Sequence, residues 1–318
     1  MPFKESPHGR YKRLDISPSR LKKWLTCPKQ YEYHYVRRIK SNISVAALQG
    51  TSLHDVFLEE YLAGGEQNHE ALLSLMDMML ADLIESDEPH DYRTGFPITE
   101  KEAKFARECL QVWARGFLET WETGKTPYGT EFEPMEVAET EVEKEPLEIH
   151  LPKTGITIRL RGYIDFINKD GSAGDLKLAT DYYAAKWSLA RAVTEVQPTM
   201  YRMMMGSPGK FTYLIAEKRM NKKKEQIYSP EVFKVELEIT EKDFDKMIEY
   251  LEDFVVRSDI ANGHENGTFL PTPIYAGEPK WKAGKHSENF CGHLCSFKGL
   301  CYQENFSPIR IGSDSASV

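Results

Sequence analysis

Long hydrophobic runs are missing from this 318-residue sequence. No apolar segment approaches the roughly 20 residues that a membrane-spanning helix needs, and the N-terminus lacks the hydrophobic block of a signal peptide. Cysteine is also scarce, with five residues, which excludes a small fold held together by disulfides. We therefore expect a cytoplasmic protein without a membrane partner, which stays folded through its hydrophobic core.

Positive charge is in deficit, because 41 Lys and Arg residues face 49 Asp and Glu residues, for a net charge of −8. This balance excludes a protein that coats nucleic acid through charge alone. The first 40 residues differ, since they hold 11 basic and 3 acidic residues. Aromatic side chains lie between these cations, a mixture typical of single-strand binding, although a solvated helix face is the alternative. The predicted DNA contacts are Arg20, Lys23, Tyr31, Arg37 and Arg38.

Helical and strand periodicities alternate along the chain. Ser17 followed by Pro18 predicts a helix start. Apolar spacing predicts further helices over about 45–62, 99–120, 196–205 and 241–256. Period-two alternation predicts strands over about 156–166, 173–178, 211–216 and 232–237, the first two joined as a hairpin. We therefore expect an α/β (α+β) fold.

One predicted strand carries a charged pair. In Gly174-Asp175-Leu176-Lys177-Leu178, alternation puts Asp175 and Lys177 on one face of the strand. Asp165, on the preceding strand of the hairpin, can bring a second carboxylate to the same place, and hard divalent cations prefer such oxygen ligands. Lys177 would then neutralise charge that develops on a phosphate. Taken alone, Asp-x-Lys is more often an ordinary surface pair.

The order of four motifs resembles a known family. His54 on a helix, Gly162-x-x-Asp165, Asp175-x-Lys177 and Gln197-x-x-x-Tyr201 resemble the RecB-type branch of the PD-(D/E)XK nuclease superfamily. That branch includes CRISPR-associated adaptation nucleases and the nuclease subunits of bacterial recombination helicases. The resemblance implies a restriction-endonuclease-like mixed β-sheet core flanked by helices.

The resemblance also implies roles for individual residues. Mg²⁺ or Mn²⁺ would be bound by His54, Asp165, Asp175 and the backbone carbonyl of Leu176. Catalysis would depend on Asp165, Asp175 and Lys177, with Gln197 and Tyr201 shaping the site or contacting DNA. Gln197 and Tyr201 are four residues apart and share a helix face, and Thr194 with Gln197 can form a capping box.

Four cysteines suggest a second metal site. Cys291, Cys295 and Cys301 crowd near the C-terminus, and Cys27 is the best candidate for a fourth ligand of zinc or an iron–sulfur cluster. The four resemble the iron–sulfur subset of the same family, which implies a 4Fe-4S cluster. Three residues separate Cys291 from Cys295 where the family usually has two, and His293 offers a nitrogen ligand, so zinc is the runner-up.

Together these features predict a metal-dependent DNA exonuclease that acts on single-stranded ends in recombination, repair or replication. The alternatives are a catalytically silent DNA-binding scaffold of the same fold, and a zinc-stapled nuclease component of a larger helicase or CRISPR-adaptation complex. The P-loop motif of helicases is missing, so unwinding would need a helicase partner. We expect one nuclease domain over 1–318, with a core over about 45–262, cluster-binding ends over about 17–44 and 285–304, and a flexible tail over 305–318.

Overall fold

The computed structural model describes residues 14–90, 96–180, 189–221, 226–269, 297 and 300–301. Its helices are α1 (Pro18–Thr26), α2 (Pro28–Tyr31), α3 (Val45–Asp55), α4 (His69–Asp87), α5 (Glu100–Thr123), α6 (Leu189–Ala192), α7 (Gln197–Met204) and α8 (Glu241–Ser258). Its strands are β1 (Asp15–Ile16), β2 (Val137–Glu143), β3 (Leu147–His150), β4 (Thr157–Leu160), β5 (Tyr163–Asn168), β6 (Ala173–Thr180), β7 (Gly209–Met220) and β8 (Ile227–Ile239). Within these ranges, no helix combines the length and the apolar composition needed to cross a bilayer.

The strands form two mixed sheets. The larger sheet has the order β2-β5-β6-β7-β8, in which β6 and β7 are parallel and the other neighbours are antiparallel. The smaller sheet has the order β1-β4-β3, with β1 and β4 parallel. The parallel step from β6 to β7 passes through α6 and α7. Mixed sheets flanked by helices confirm the predicted α/β class and are consistent with a restriction-endonuclease-like fold.

Two apolar cores lie against the larger sheet. One contains Trp24 of α1, Phe254 of α8 and Tyr213 of β7. The other contains Phe117 of α5 and Leu214 of β7. Because Tyr213 and Leu214 are consecutive residues of one strand, their side chains point to opposite faces. Helices therefore cover both faces of the sheet.

The start of α1 agrees with its predicted cap. Ser17 caps α1, and its side chain accepts a hydrogen bond from the Arg20 amide at 3.2 Å. The predicted helix over about 45–62 is continuous, but its winding changes from α to π at Val56, so that Val56–Ala63 is a π-helical segment. Such segments are frequent at functional sites. This change follows His54 and Asp55 directly.

Several elements differ from the prediction. The single strand expected over about 156–166 is two strands, β4 and β5, which belong to different sheets. The break falls at Arg161 and Gly162, which belong to neither strand. Helix α4 and strands β2 and β3 were not predicted, although α4 buries Leu72, Leu73, Met76 and Leu80 at helical spacing.

The β5–β6 hairpin has its backbone pairs close to the turn, and its two strands do not pair at the other end. Its ladder contains two pairs, Phe166 with Gly174 and Ile167 with Ala173. Gly174 is required here, because a Cβ atom would lie 2.0 Å from the Phe166 ring. Beside the turn, the Arg202 guanidinium donates to the Gly171 carbonyl at 2.9 Å and to the Pro208 carbonyl at 2.8 Å. The hairpin therefore fixes the register of β5 and β6 up to the last ladder pair, Phe166 with Gly174.

Candidate active site

Three carboxylates occupy neighbouring positions on β2, β5 and β6. The β2–β5 register, which pairs Val142 with Ile164, puts Glu141 opposite Asp165. The β5–β6 register, extended by one residue beyond its last pair, puts Asp165 opposite Asp175. Like charges at facing strand positions destabilise a sheet. This row of carboxylates therefore needs cations beside it.

His54 is the first of these cations. Its Nε2 atom lies 2.9 Å from Asp165 Oδ2, while Nδ1 lies 3.0 Å from Asp55 Oδ1 and 3.4 Å from Glu141 Oε1. Burial lowers the pKa of His54, but hydrogen bonds to Asp165 and Asp55, together with the charges of Asp165 and Glu141, outweigh burial and raise the pKa to about 10. The imidazole among these carboxylates is therefore protonated at neutral pH.

Asp165 links the histidine to the backbone of β6. Its Oδ2 atom also accepts a hydrogen bond from the Leu176 amide at 2.9 Å. Burial raises the pKa of Asp165, whereas the hydrogen bond to His54 and the charge of Lys177 lower it, and the net shift is downward. Because the β5–β6 ladder has already ended, this carboxylate satisfies a buried amide that would otherwise need another acceptor.

Asp175 and Lys177 project together from β6, as period-two alternation predicts. Lys177 Nζ donates to Asp175 Oδ1 at 2.7 Å and lies 2.5 Å from Oδ2. Burial, followed by the charge of Asp165, raises the pKa of the fully buried Asp175 to about 7. Burial lowers the pKa of Lys177, but the charges of Asp175 and Asp165 more than offset burial, so the net shift is upward. Lys177 therefore stays cationic.

Gln197 and Tyr201 complete the cluster from α7. Gln197 Nε2 donates to Asp175 Oδ1 and to the Tyr201 hydroxyl, the latter at 2.9 Å. The predicted capping box of Thr194 and Gln197 is wrong, because Val196 is the N-cap residue and the cap has no side-chain hydrogen bond. The Gln197 side chain turns into the site instead. Burial, followed by the charges of Asp165 and Asp175, raises the pKa of Tyr201 and keeps its phenol neutral.

The donor types in this cluster fit a hard divalent cation. His54, Asp165 and Asp175 offer an imidazole and two carboxylates. Asp175 Oδ2 is buried and, within the described ranges, accepts no hydrogen bond, although Lys177 Nζ lies 2.5 Å away. Among the described residues, no three His, Cys, Asp or Glu side chains surround a common point as metal ligands do. Coordination through His54 Nε2 requires the proton shared with Asp165 to leave.

Two residues that were not predicted contact His54. Asp55 follows it on α3, and Glu141 lies on β2. Glu141 belongs to an acidic stretch of sequence whose charges suggest a solvated segment. A signal was present nevertheless, since Glu139, Glu141 and Glu143 alternate with Thr140 and Val142 as in a strand.

Comparison with known families decides the identity of the fold. The model of the PD-(D/E)XK nuclease superfamily matches residues 15–302, a range that contains the whole cluster. The chain belongs to the PD-(D/E)XK nuclease superfamily. PD-(D/E)XK nucleases use divalent metals such as Mg²⁺ and have DNA as their substrate. The donor types at His54, Asp165 and Asp175 agree with this chemistry.

Solved structures with similarity to this superfamily member include two that span most of the chain. One, from Eubacterium rectale and named a "putative exonuclease", is 15% identical and covers 84% of this chain and 89% of its own, with a TM-score of 0.41. The other, SSO0001, is 16% identical and covers 89% of this chain and 94% of its own, with a TM-score of 0.31. No match was found among the curated proteins.

The five predicted DNA contacts of this PD-(D/E)XK chain differ in their exposure to solvent. Tyr31 is wrong as a base-stacking residue, because its ring is fully buried, 5.5 Å from the Trp24 ring and 5.4 Å from the Phe254 ring. Arg20 is half-buried, and its Nε atom donates to the Tyr31 hydroxyl at 3.1 Å. The remaining three include one half-buried residue, Lys23, and two exposed ones, Arg37 and Arg38.

Two of the four predicted cysteine ligands, Cys27 and Cys301, lie among the described residues. Cys27 is buried at the start of α2, and Cys301 is half-buried. Cys291 and Cys295 lie outside the described residues, as does almost all of the predicted segment 285–304 and the whole tail over 305–318. The Phe297 ring packs 5.3 Å from the Tyr33 ring. This contact places Phe297, which lies between Cys295 and Cys301 in the sequence, beside Tyr33 of the N-terminal segment.

Proposed function

We propose that this protein is a metal-dependent DNA exonuclease that hydrolyses phosphodiester bonds at single-stranded ends. The observation that carries the proposal is the convergence of His54, Asp165, Asp175 and Lys177, from α3, β5 and β6, on one cluster in a PD-(D/E)XK chain. The biological setting that we propose is DNA recombination, repair or replication, with unwinding supplied by a helicase partner.

The side chains of the cluster have separate tasks. His54, Asp165, Asp175 and the Leu176 carbonyl would hold Mg²⁺ or Mn²⁺, and a bound divalent cation supplies the charge that polarises a phosphodiester toward attack by water. Lys177 keeps an ammonium group where negative charge develops on the phosphate.

The α7 pair keeps the reactive groups in place. Gln197, whose amide carries no charge, donates to Asp175 Oδ1, and Tyr201 accepts a hydrogen bond from the same amide. Because the Tyr201 phenol stays neutral, neither residue adds charge to the cluster. We propose that this pair orients Asp175 and shapes the floor on which the DNA end rests.

Single-stranded DNA would reach the cluster along the basic N-terminal segment. Arg37 and Arg38 are exposed at the end of the π-helical segment Glu32–Val36, and Lys23 is half-buried on α1. Arg37 lies 4.9 Å from the centre of the Tyr33 ring. Because the rings of Tyr31 and Tyr33 are buried, we propose that this segment binds phosphates rather than stacking on bases.

A time course with labelled DNA tests the exonuclease proposal. Linear single strands labelled at either end and a circular single strand of the same sequence are incubated with the protein and Mg²⁺ or Mn²⁺. We expect the linear strands to shorten progressively from one end while the circle stays intact. A parallel preparation of Asp165→Asn, which should be inactive, excludes a contaminating nuclease.

Two outcomes contradict this proposal. Cleavage of the circle at the rate of the linear strands identifies an endonuclease. Binding of both DNAs without cleavage in either metal identifies a catalytically silent DNA-binding protein.

A 4Fe-4S cluster held by Cys27, Cys291, Cys295 and Cys301 is the second part of the proposal. Cys27 is buried, and the contact between Tyr33 and Phe297 supports the approach of the two chain ends. Such a cluster would staple these ends together, so its loss should destabilise the fold rather than remove one chemical step.

The metal content of anaerobically purified protein tests the cluster. We expect brown protein with about four iron atoms per chain, and Cys27→Ser should lose both the iron and several degrees of melting temperature. Cys109→Ser, at another buried cysteine, is the matched control and should keep the iron. Colourless protein with about one zinc per chain would establish zinc as the staple.

A further inference from the structure

The two nitrogens of the His54 ring face different partners. Nε2 lies 2.9 Å from Asp165, the proposed metal ligand. On the other side of the ring, Nδ1 lies 3.0 Å from Asp55 Oδ1 and 3.4 Å from Glu141 Oε1. These two carboxylates come from different elements, α3 and β2. Two elements of the fold, α3 and β2, therefore each place a carboxylate beside Nδ1 of the His54 ring.

Glu141 has an unusual backbone conformation for this position. Its φ angle is +48°, although it lies within β2 and the register of β2 with β5 is the same on both sides of it. A non-glycine residue with a positive φ angle is strained, and such residues cluster at functional sites. The side chain of Glu141 lies beside His54, with Oε1 3.4 Å from Nδ1.

The Glu141 carboxylate is also poorly satisfied. Its Oε1 atom is buried and, within the part of the chain that the structure describes, makes no hydrogen bond of good geometry. Glu139 and Glu143, two residues away on either side, are both exposed. Of these three glutamates, Glu141 alone has a contact with the ring of His54. Glu139 and Glu143 are therefore carboxylates exposed to solvent, whereas the buried Oε1 atom of Glu141 faces His54.

Coordination by His54 requires a particular tautomer. A cation binds an imidazole nitrogen through its lone pair, so Nε2 must be bare and the remaining proton must reside on Nδ1. An ionised carboxylate can only accept a hydrogen bond. Asp55 and Glu141, placed beside Nδ1, favour this tautomer and fix the direction of the ring.

We propose that Asp55 and Glu141 are positioning residues that hold His54 in the tautomer and orientation in which Nε2 binds the divalent cation. This inference rests on the proposed metal site. In metalloproteins, a carboxylate behind a ligating histidine raises the affinity for the metal, and its loss typically weakens metal binding 10–100-fold.

Calorimetric titration with Mn²⁺ tests the positioning role. Full-length wild type is compared with Glu141→Gln and with Asp55→Asn/Glu141→Gln, whose amides keep the shape of the side chains. Glu139→Gln, on the same strand and with the same change of charge, is the control. We expect the double variant to bind Mn²⁺ about 10–100-fold more weakly, Glu141→Gln to be intermediate, and Glu139→Gln to match wild type.

Cleavage of single-stranded DNA provides a second measurement. We expect a high concentration of Mn²⁺ to restore the rate of the double variant, with the KM for DNA unchanged. If the melting temperature falls while the Mn²⁺ affinity stays at the wild-type value, the two carboxylates serve folding only and the inference is wrong. Since Glu141 is only half-buried, its single variant decides the question if the double variant does not fold.

His54→Ala separates the inference from the proposed function. If His54→Ala weakens Mn²⁺ binding and the double variant does not, the positioning role is wrong and the proposed metal site stands. If His54→Ala binds Mn²⁺ as wild type does, His54 is no ligand, and both the metal site as proposed and the positioning role are wrong.

Discussion

Lys177→Ala should reduce DNA cleavage by roughly a hundred- to a thousandfold, the effect of removing one preorganised donor that stabilises charge in a transition state. Lys177 Nζ lies within 2.7 Å of Asp175 and is held cationic by Asp175 and Asp165. In the function proposed above, this ammonium group stabilises the negative charge that develops on the phosphate. Cleavage of an end-labelled single strand under single-turnover conditions measures the loss, and fluorescence anisotropy measures DNA binding, which should persist.

Two further variants make the Lys177 result specific. Lys169→Ala removes the charge of an exposed lysine that follows β5, and it should cleave DNA at the wild-type rate. Asp165→Ala should also abolish cleavage and keep measurable DNA binding. Wild-type cleavage by either Lys177→Ala or Asp165→Ala would refute the assignment of this cluster as the active site.

Asp175→Asn should abolish cleavage and at the same time stabilise the protein in the absence of divalent metal. Asp175 is fully buried, and burial with the charge of Asp165 raises its pKa to about 7. In the unfolded chain its pKa is near 3.8, so the folded state binds the extra proton between pH 4 and 7 and loses stability as pH rises through that range. Above pH 7 the asparagine variant avoids a destabilisation of the order of 1–4 kcal/mol.

Thermal unfolding in EDTA at pH 5 and pH 8 measures this effect. The melting temperature of wild type should be several degrees lower at pH 8 than at pH 5. The decrease should be smaller for Asp175→Asn. His54 lowers the stability of both proteins further as the pH rises. Its pKa is raised from 6.5 to about 10 in the folded state, so its contribution to stability is lost between these two pH values. Asp253→Asn, an exposed carboxylate on α8, is the control for the change of charge.

Addition of Mn²⁺ gives the decisive comparison for Asp175. A ligand that binds only the folded state raises the melting temperature, so Mn²⁺ should stabilise wild type and Asp253→Asn more than Asp175→Asn. An Asp175→Asn protein that is less stable than wild type at pH 8 without metal would show that the ion pair with Lys177 outweighs the repulsion from Asp165.

Local periodicity was enough to predict part of the cluster. Alternation along β6 puts Asp175 and Lys177 side by side, and helical spacing puts Gln197 beside Tyr201. These contacts lie within one element. The approach of His54 to Asp165 joins α3 to β5, and it was anticipated only through the family resemblance, because spacing within a helix says nothing about a distant strand.

Sequence patterns did not predict the contact of Glu141 with His54 or the burial of Tyr31. Glu141 contacts His54 across two elements and has a positive φ angle within β2, and neither feature follows from the sequence pattern. Tyr31 lies among basic residues as a base-stacking aromatic would. It is buried because Trp24 and Phe254, the latter from the far end of the chain, close around it.

The hydrogen bond between the Leu176 amide and Asp165 joins the backbone of the sheet to the chemistry of the site. An ordinary ladder would tie this amide to a main-chain carbonyl, whereas here it depends on a side chain that also faces His54. A rotation of that carboxylate would remove the acceptor of the amide in the Asp175–Leu176 peptide group. The hydrogen bonding in the middle of β6 therefore depends on the orientation of the same carboxylate that pairs with His54.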